Sequence, residues 1–181
     1  ELEEKLKRSL EDSRRRVEEL RRTNEEVLRE VEEEIRRLIK ENEDSLRESK
    51  KRVDDRNVER EKLEKAKKVL EDSERSLRKL AKEARDVLRE MRETLRKLEE
   101  KMERVLRESE KEIRRVATRG ESKETVDKIL EDDKELLRRL EEESKRHIDE
   151  VRKILEDLER RSRRHIEEDK KLITELEKET K

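Results

Sequence analysis

"TRGESKET", Thr118–Thr125, holds the only glycine in a chain of 181 residues that has no proline. Gly120 suits the position just past a helix end, where a left-handed backbone is favoured, and Ser122 suits the N-cap of a following helix. A stop and a start so close together read as a tight connection between two long helices.

Outward from this connection the apolar residues recur in steps of three and four, the spacing of one helical face. One stripe runs back from Val116 to Leu63, and another runs forward from Val126 to Leu176. A further stripe begins at Leu2 and passes through Leu6, Leu10, Val17 and Leu20 on its way to Val53. It falters at "DDRNVERE", Asp54–Glu61, where Asn57 tolerates a left-handed cap or can cap a new helix. The spacing predicts helices over 2–55, 58–118 and 122–179, each about 80–90 Å long at 1.5 Å per residue.

The composition fits long charged helices. Asp, Glu, Lys and Arg make up 61% of the chain and apolar residues 27%, with no Phe, Trp, Tyr or Cys. A disordered chain has similar composition, but it lacks the periodicity seen here. Each stripe covers about two positions in seven, the width of a coiled-coil seam. The expected fold is therefore all-α: a long up-down-up antiparallel three-helix bundle, a nearly straight coiled coil, with residues 1–181 as one domain. The opposite faces are Glu, Lys and Arg with i to i+4 pairs such as Glu156–Arg160, which read as solvated surface.

A repeat of 18 residues, five helical turns, accounts for the expected straightness. It aligns Leu10, Leu28 and Leu46 in the first helix and Leu70, Leu88 and Leu106 in the second. In the third it aligns Ile129 with His147 and His165, the only two histidines. Each histidine follows a serine by three residues, Ser144 or Ser162.

Polar residues interrupt the stripes at related positions. Pairs from the first and second helices, Ser9–Ser109, Asn24–Thr94, Asn42–Ser76 and Ser45–Ser73, are all centred on position 59. Pairs from the second and third, Ser109–Asp133, Thr94–His147, Ser76–His165 and Ser73–Asp169, are centred at the Gly120 connection. Antiparallel neighbours require such common centres. Four polar layers are expected: Ser9, Ser109 and Asp133; Asn24, Thr94 and His147; Asn42, Ser76 and His165; Ser45, Ser73 and Asp169. Ser13, Ser49, Ser144 and Ser162 remain as neighbours of the layers. A buried polar group without a partner costs up to several kcal/mol, so such groups should occur together. In an aliphatic bundle they fix register at some cost in stability.

On these features the chain resembles the de novo designed helical bundles with buried hydrogen-bond networks. The resemblance covers the whole chain: no Gln, aromatic, Pro or Cys, three equal helices, the 18-residue repeat, and layers such as Asn24–Thr94–His147. It implies a structural scaffold without natural biochemical activity, and some such bundles use network histidines to respond to pH. The first connection departs from the pattern, because designed connections usually carry glycine. A natural coiled-coil spacer, spectrin-like in topology, is the alternative, although natural rods normally contain Gln and aromatic residues.

Catalysis, metal and cofactor are not expected. His147 and His165 lie five turns apart, roughly 27 Å, and cannot share an ion. No nucleophile sits beside a base with an orienting third group. The basic stretch "ERRSRRHIEE", 159–168, is bounded by acids and has no aromatic for stacking, so nucleic acid is not an expected partner. The formal net charge of −1 gives no field to draw in anionic surfaces. No apolar run approaches the ~18 residues that span a bilayer, and the N-terminal stretch lacks a targeting signal. A soluble chain is expected, cytoplasmic if expressed recombinantly and otherwise of unknown location. No partner is required, and a monomer is favoured. Self-association stays open, because the two seams of each helix can be satisfied between chains.

A pH response has a mechanism. A histidine buried as the neutral species must take a charge out of water to protonate, so acidification through ~6.5 should cost stability. Asp169, one turn after His165, would oppose this by pairing with the cation.

Overall fold

The computed structural model describes the backbone of residues 2–55 and 59–179. The chain is an all-α three-helix bundle: α1 spans Leu2–Asp54, α2 spans Arg60–Arg119 and α3 spans Lys123–Glu179. These bounds differ by one or two residues from those read off the stripes. No strand occurs among the described residues.

At the second connection, Gly120 has φ +64° and donates its N–H to the Val116 carbonyl at 3.1 Å. That left-handed turn satisfies one of the last carbonyls of α2. Ser122 Oγ accepts from the Thr125 N–H at 3.3 Å, which makes Ser122 the N-cap of α3. Asn57, read from sequence as the first break, lies outside the described residues.

By their internal contacts the residues fall into two compact units, one of 1–29 and 90–150, the other of 30–89 and 151–181. In the first, Leu6 packs with Val116, Val126 and Leu130, and Val17 with Met102 and Leu137. In the second, Val53 packs with Ala66, Leu70, Ile173 and Leu176. These cores are aliphatic, and burying each such side chain is worth about 1.5–3 kcal/mol for the larger residues.

Ion pairs between helices give the directions. In the first unit Lys5 meets Asp127 and Arg16 meets Glu141, so α1 runs with α3, while Arg14 meets Glu110 and Arg21 meets Glu103, so it runs against α2. In the second unit Glu30–Arg152 with Arg52–Glu177, and Lys50–Glu74 with Asp54–Lys67, repeat the arrangement. The topology is up-down-up within each unit.

Candidate functional site: polar pairs inside the bundle

Four hydrogen bonds between side chains of different helices define the polar interior. In the first unit Ser144 Oγ donates to Asn24 Oδ1 at 2.9 Å, and Ser109 Oγ to Asp133 Oδ2 at 2.7 Å. In the second, Ser162 Oγ donates to Asn42 Oδ1, and Ser73 Oγ to Asp169 Oδ2 at 2.8 Å. The donor, the acceptor and the helices joined are the same within each class of pair. Asn24 and Asn42 on α1 each face a serine on α3, and Asp133 and Asp169 on α3 each face a serine on α2.

The α2–α3 register agrees with the sequence layers: Ser109 with Asp133 and Ser73 with Asp169 are both centred on position 121. The α1–α2 register is displaced. The ion pairs Arg14–Glu110, Arg21–Glu103 and Lys50–Glu74 are all centred on position 62, not 59. That is a displacement of six positions, roughly one and two-thirds helical turns, in the residue of α2 whose ion pair reaches a given α1 residue. Its effect is visible in the burial. Ser13 and Ser49, set aside by the sequence reading, are buried, whereas Ser9 and Ser45, one turn earlier, are half-buried.

The histidine layers need a similar correction. Asn24, Asn42, Ser73, Ser109 and Asp169 are buried, but His147, His165, Thr94, Ser76 and Asp133 are only half-buried. Asn24 and Asn42 bond to Ser144 and Ser162, not to the histidines. The physical reason is size and angle: three residues along a helix turn about 300°, and only the smaller serine of each Ser-x-x-His unit fits the narrow seam. The imidazole is left on its flank. His147 and Thr94 do come together, lining one cleft of about 330 Å³ with Leu98 and Glu143. No hydrogen bond joins them, and His147 Nε2 is buried without a partner. Ser144 and Ser162 carry a signal of their own in the sequence, an 18-residue spacing that matches that of Asn24 and Asn42.

Burial governs the carboxyl groups of these pairs. Asp169 is only 2% exposed, and loss of hydration raises its pKa above the ordinary 3.8 against the opposing effects of the Ser73 hydroxyl and His165. Its other charged neighbour, Glu168, pushes in the same direction as burial. Asp133 is raised for the same principal reason, with Ser109 opposing and Asp132 and Glu108 reinforcing. Glu99, beside Asn24, is also raised by burial, with Arg21 opposing, Glu25 reinforcing and the Asn24 amide opposing. Asn24 Nδ2 has no acceptor within hydrogen-bond geometry, so its approach to Glu99 is that of a dipole to a charge.

Among the described residues no group of three His, Cys, Asp or Glu side chains is placed to hold a metal ion. No described helix is long and apolar enough to cross a membrane. An interior of paired hydroxyls, amides and carboxyls in an aliphatic three-helix bundle can position helices and take up protons. No family model matches the chain, and neither does any curated protein or solved structure.

Proposed function

We propose that the chain is a structural scaffold, a designed three-helix bundle without catalytic activity, whose internal polar pairs set the register of its helices. The observation that carries this reading is the recurrence of the Asn–Ser and Ser–Asp pairs in both units with the same donor, acceptor and helix assignments. An aliphatic seam alone discriminates poorly between registers, and a polar group that finds its partner in only one of them discriminates well. The test replaces Asn24, Asn42, Asp133 and Asp169 by Leu and Ser73, Ser109, Ser144 and Ser162 by Ala in one variant. Spin-label distances between α1 and α3 should broaden from one population to several while helicity is kept. A single sharp distance equal to the parent's would sink the reading.

A second reading, acid destabilisation by protonation of His147 and His165, draws on the buried, unpartnered Nε2 of His147. Placing a proton there adds a charge with no acceptor to receive it. Denaturant midpoints at about pH 7.5 and about pH 5.2 bracket the ordinary histidine pKa. His147→Asn and His165→Asn together should abolish the loss on acidification. A parent whose midpoint is flat over that range excludes the switch.

A further inference from the structure

We propose that the outer α2–α3 face of each unit docks on the same face of a second copy of this chain, the two copies lying side by side and pointing the same way. Among the described residues the exposed large apolar side chains are Val69, Leu136 and Ile154, at 45%, 46% and 44%. Apolar residues scattered singly over a surface are ordinary. These are not scattered. In the register set by Ser109–Asp133 and Ser73–Asp169, Leu136 stands level with Val105 in the first unit. In the second unit Ile154 stands level with Val87, and Leu172 with Val69. Val105, Val87 and Leu172 are half-buried, so each unit carries apolar pairs that are partly open to solvent.

Polar residues alternate with these pairs. His147 with Thr94 in the first unit, and His165 with Ser76 in the second, lie on the same face and are half-buried. Along α3 the steps from Leu136 through His147, Ile154 and His165 to Leu172 are 11, 7, 11 and 7 residues, close to three or two whole turns. Apolar and polar levels thus follow one another on this face as they do in the interior of the bundle.

That order selects both the occupant and its direction. Turned end to end, a second copy can align four of these levels only by setting each histidine against Leu or Ile, and a polar group without a partner is costly there. With a two-fold axis along the helices, α3 of one copy faces α2 of the other, level for level. Leu136 then meets Val105, and His147 meets Thr94.

The charges beside the stripe complement each other in the same arrangement. In the first unit Lys128 and Asp132 flank it on α3, and Arg104 and Glu108 flank it on α2, all of them exposed. Asp132 comes level with Glu108 of the second copy. Lys128 lies one turn from that carboxylate, and Arg104 of the second copy lies one turn from Asp132. The second unit repeats the set as Arg164, Glu168, Lys68 and Asp72, each displaced by 36 residues. Asp86, beside Val87, breaks the pattern.

Sedimentation equilibrium of the full chain over a wide concentration range should give a mass of two chains that falls to one on dilution. A pair departs from the monomer expected of the sequence. Leu136→Glu with Ile154→Glu should weaken pairing by about a hundredfold or more. Both sites are nearly half exposed, so helicity should stay at the parent's value. Lys128→Glu should weaken pairing about tenfold, and adding Glu108→Lys should restore it. A spin label on Glu121→Cys, at the α2–α3 connection, should report a short distance between copies. A single-chain mass at every concentration would overturn the proposal, as would pairing indifferent to Leu136→Glu with Ile154→Glu, or pairs whose labels lie far apart. A monomeric chain whose Leu136 and Ile154 methyl resonances move on adding a basic amphipathic helical peptide would give the face a different occupant, and overturn it too. The pairing goes beyond the scaffold reading, and its loss would leave the α1–α3 distances within one chain unchanged.

Discussion

The two compact units use the same pairs at different sequence intervals. Ser109–Asp133, Arg14–Glu110 and Arg16–Glu141 of the first unit have counterparts in Ser73–Asp169, Lys50–Glu74 and Arg52–Glu177 of the second, each member displaced by 36 residues. Asn24–Ser144 and Asn42–Ser162 are displaced by 18. Both intervals are whole numbers of turns, so each side chain keeps its face. What differs is the setting: Asp169 is buried and Asp133 half-buried, and Asn24 lies beside Glu99 where Asn42 shares a cleft with Ala81. The repeat dictates which groups pair, and the residues next to each pair dictate its electrostatics.

The largest test of that likeness lies in the aliphatic core. Leu137 and Ile173, also 36 apart, are each 1% exposed. Leu137→Ala and Ile173→Ala should each lower unfolding free energy by about 3 kcal/mol, read from denaturant midpoints. Native-state amide exchange should quicken mainly in the unit that carries the substitution. Equal quickening in both would show a single cooperative body and break the division.

Removing a serine from an Asn–Ser pair comes next. Ser144→Ala and Ser162→Ala each leave a buried amide oxygen without its donor, at a cost of about 1–2 kcal/mol. Ser144→Ala should be the costlier of the two, since Asn24 is 0% exposed and Asn42 is 4%. The reverse order in thermal midpoints would show that solvent reaches Asn24 more easily than its burial indicates.

The aspartates sharpen the comparison through pH. A carboxyl group whose folded pKa lies above its unfolded value binds its proton more tightly when folded. Its stabilising contribution is complete below the unfolded pKa, near 3.8, and is lost as pH rises through the folded value. Acidification toward that range should therefore raise the contribution of this group. Asp169→Asn should flatten this rise in denaturant midpoint, and Asp133→Asn should flatten it less, because Asp133 retains more solvent. Equal effects would mean that the two sites are hydrated alike.

The smallest effect belongs to the surface. Arg16–Glu141 and Arg52–Glu177 join α1 to α3 with partly exposed side chains. Glu141→Gln and Glu177→Gln should each cost about 0.5 kcal/mol or less, and the loss should fade in high salt. A loss that persists in salt would indicate a pair better shielded than its exposure suggests.

Much of this was legible in the sequence, for physical reasons that can be named. Gly120 and Ser122 are residues whose local chemistry specifies a turn and a cap, and they act as read. Ser109–Asp133 and Ser73–Asp169 could be paired because the short connection fixes how α2 and α3 face each other. The α1–α2 ion pairs fall six residues from the pairing read off the sequence, since "DDRNVERE" carries no glycine or proline to locate its turn. Composition also could not say which member of Ser144-x-x-His147 enters the seam. That choice depends on the width between helices, which only packing sets. The contrast of Glu99 with Ala81 was present as letters, but it gained meaning only when the structure put each beside an asparagine.

The five-turn period has a hidden degeneracy. A slip of α3 by one period would return every apolar residue to an equivalent face, and Asn24 would still find a serine, because Ser162 would arrive where Ser144 had been. The asparagine layers are nearly blind to this error. The aspartates are not: Asp169 would land at the level now held by Val151, which is 3% exposed, with its serine left behind. An unpaired carboxylate in such a place costs several kcal/mol. The Ser–Asp pairs thus serve as a parity check on a code whose other symbols repeat.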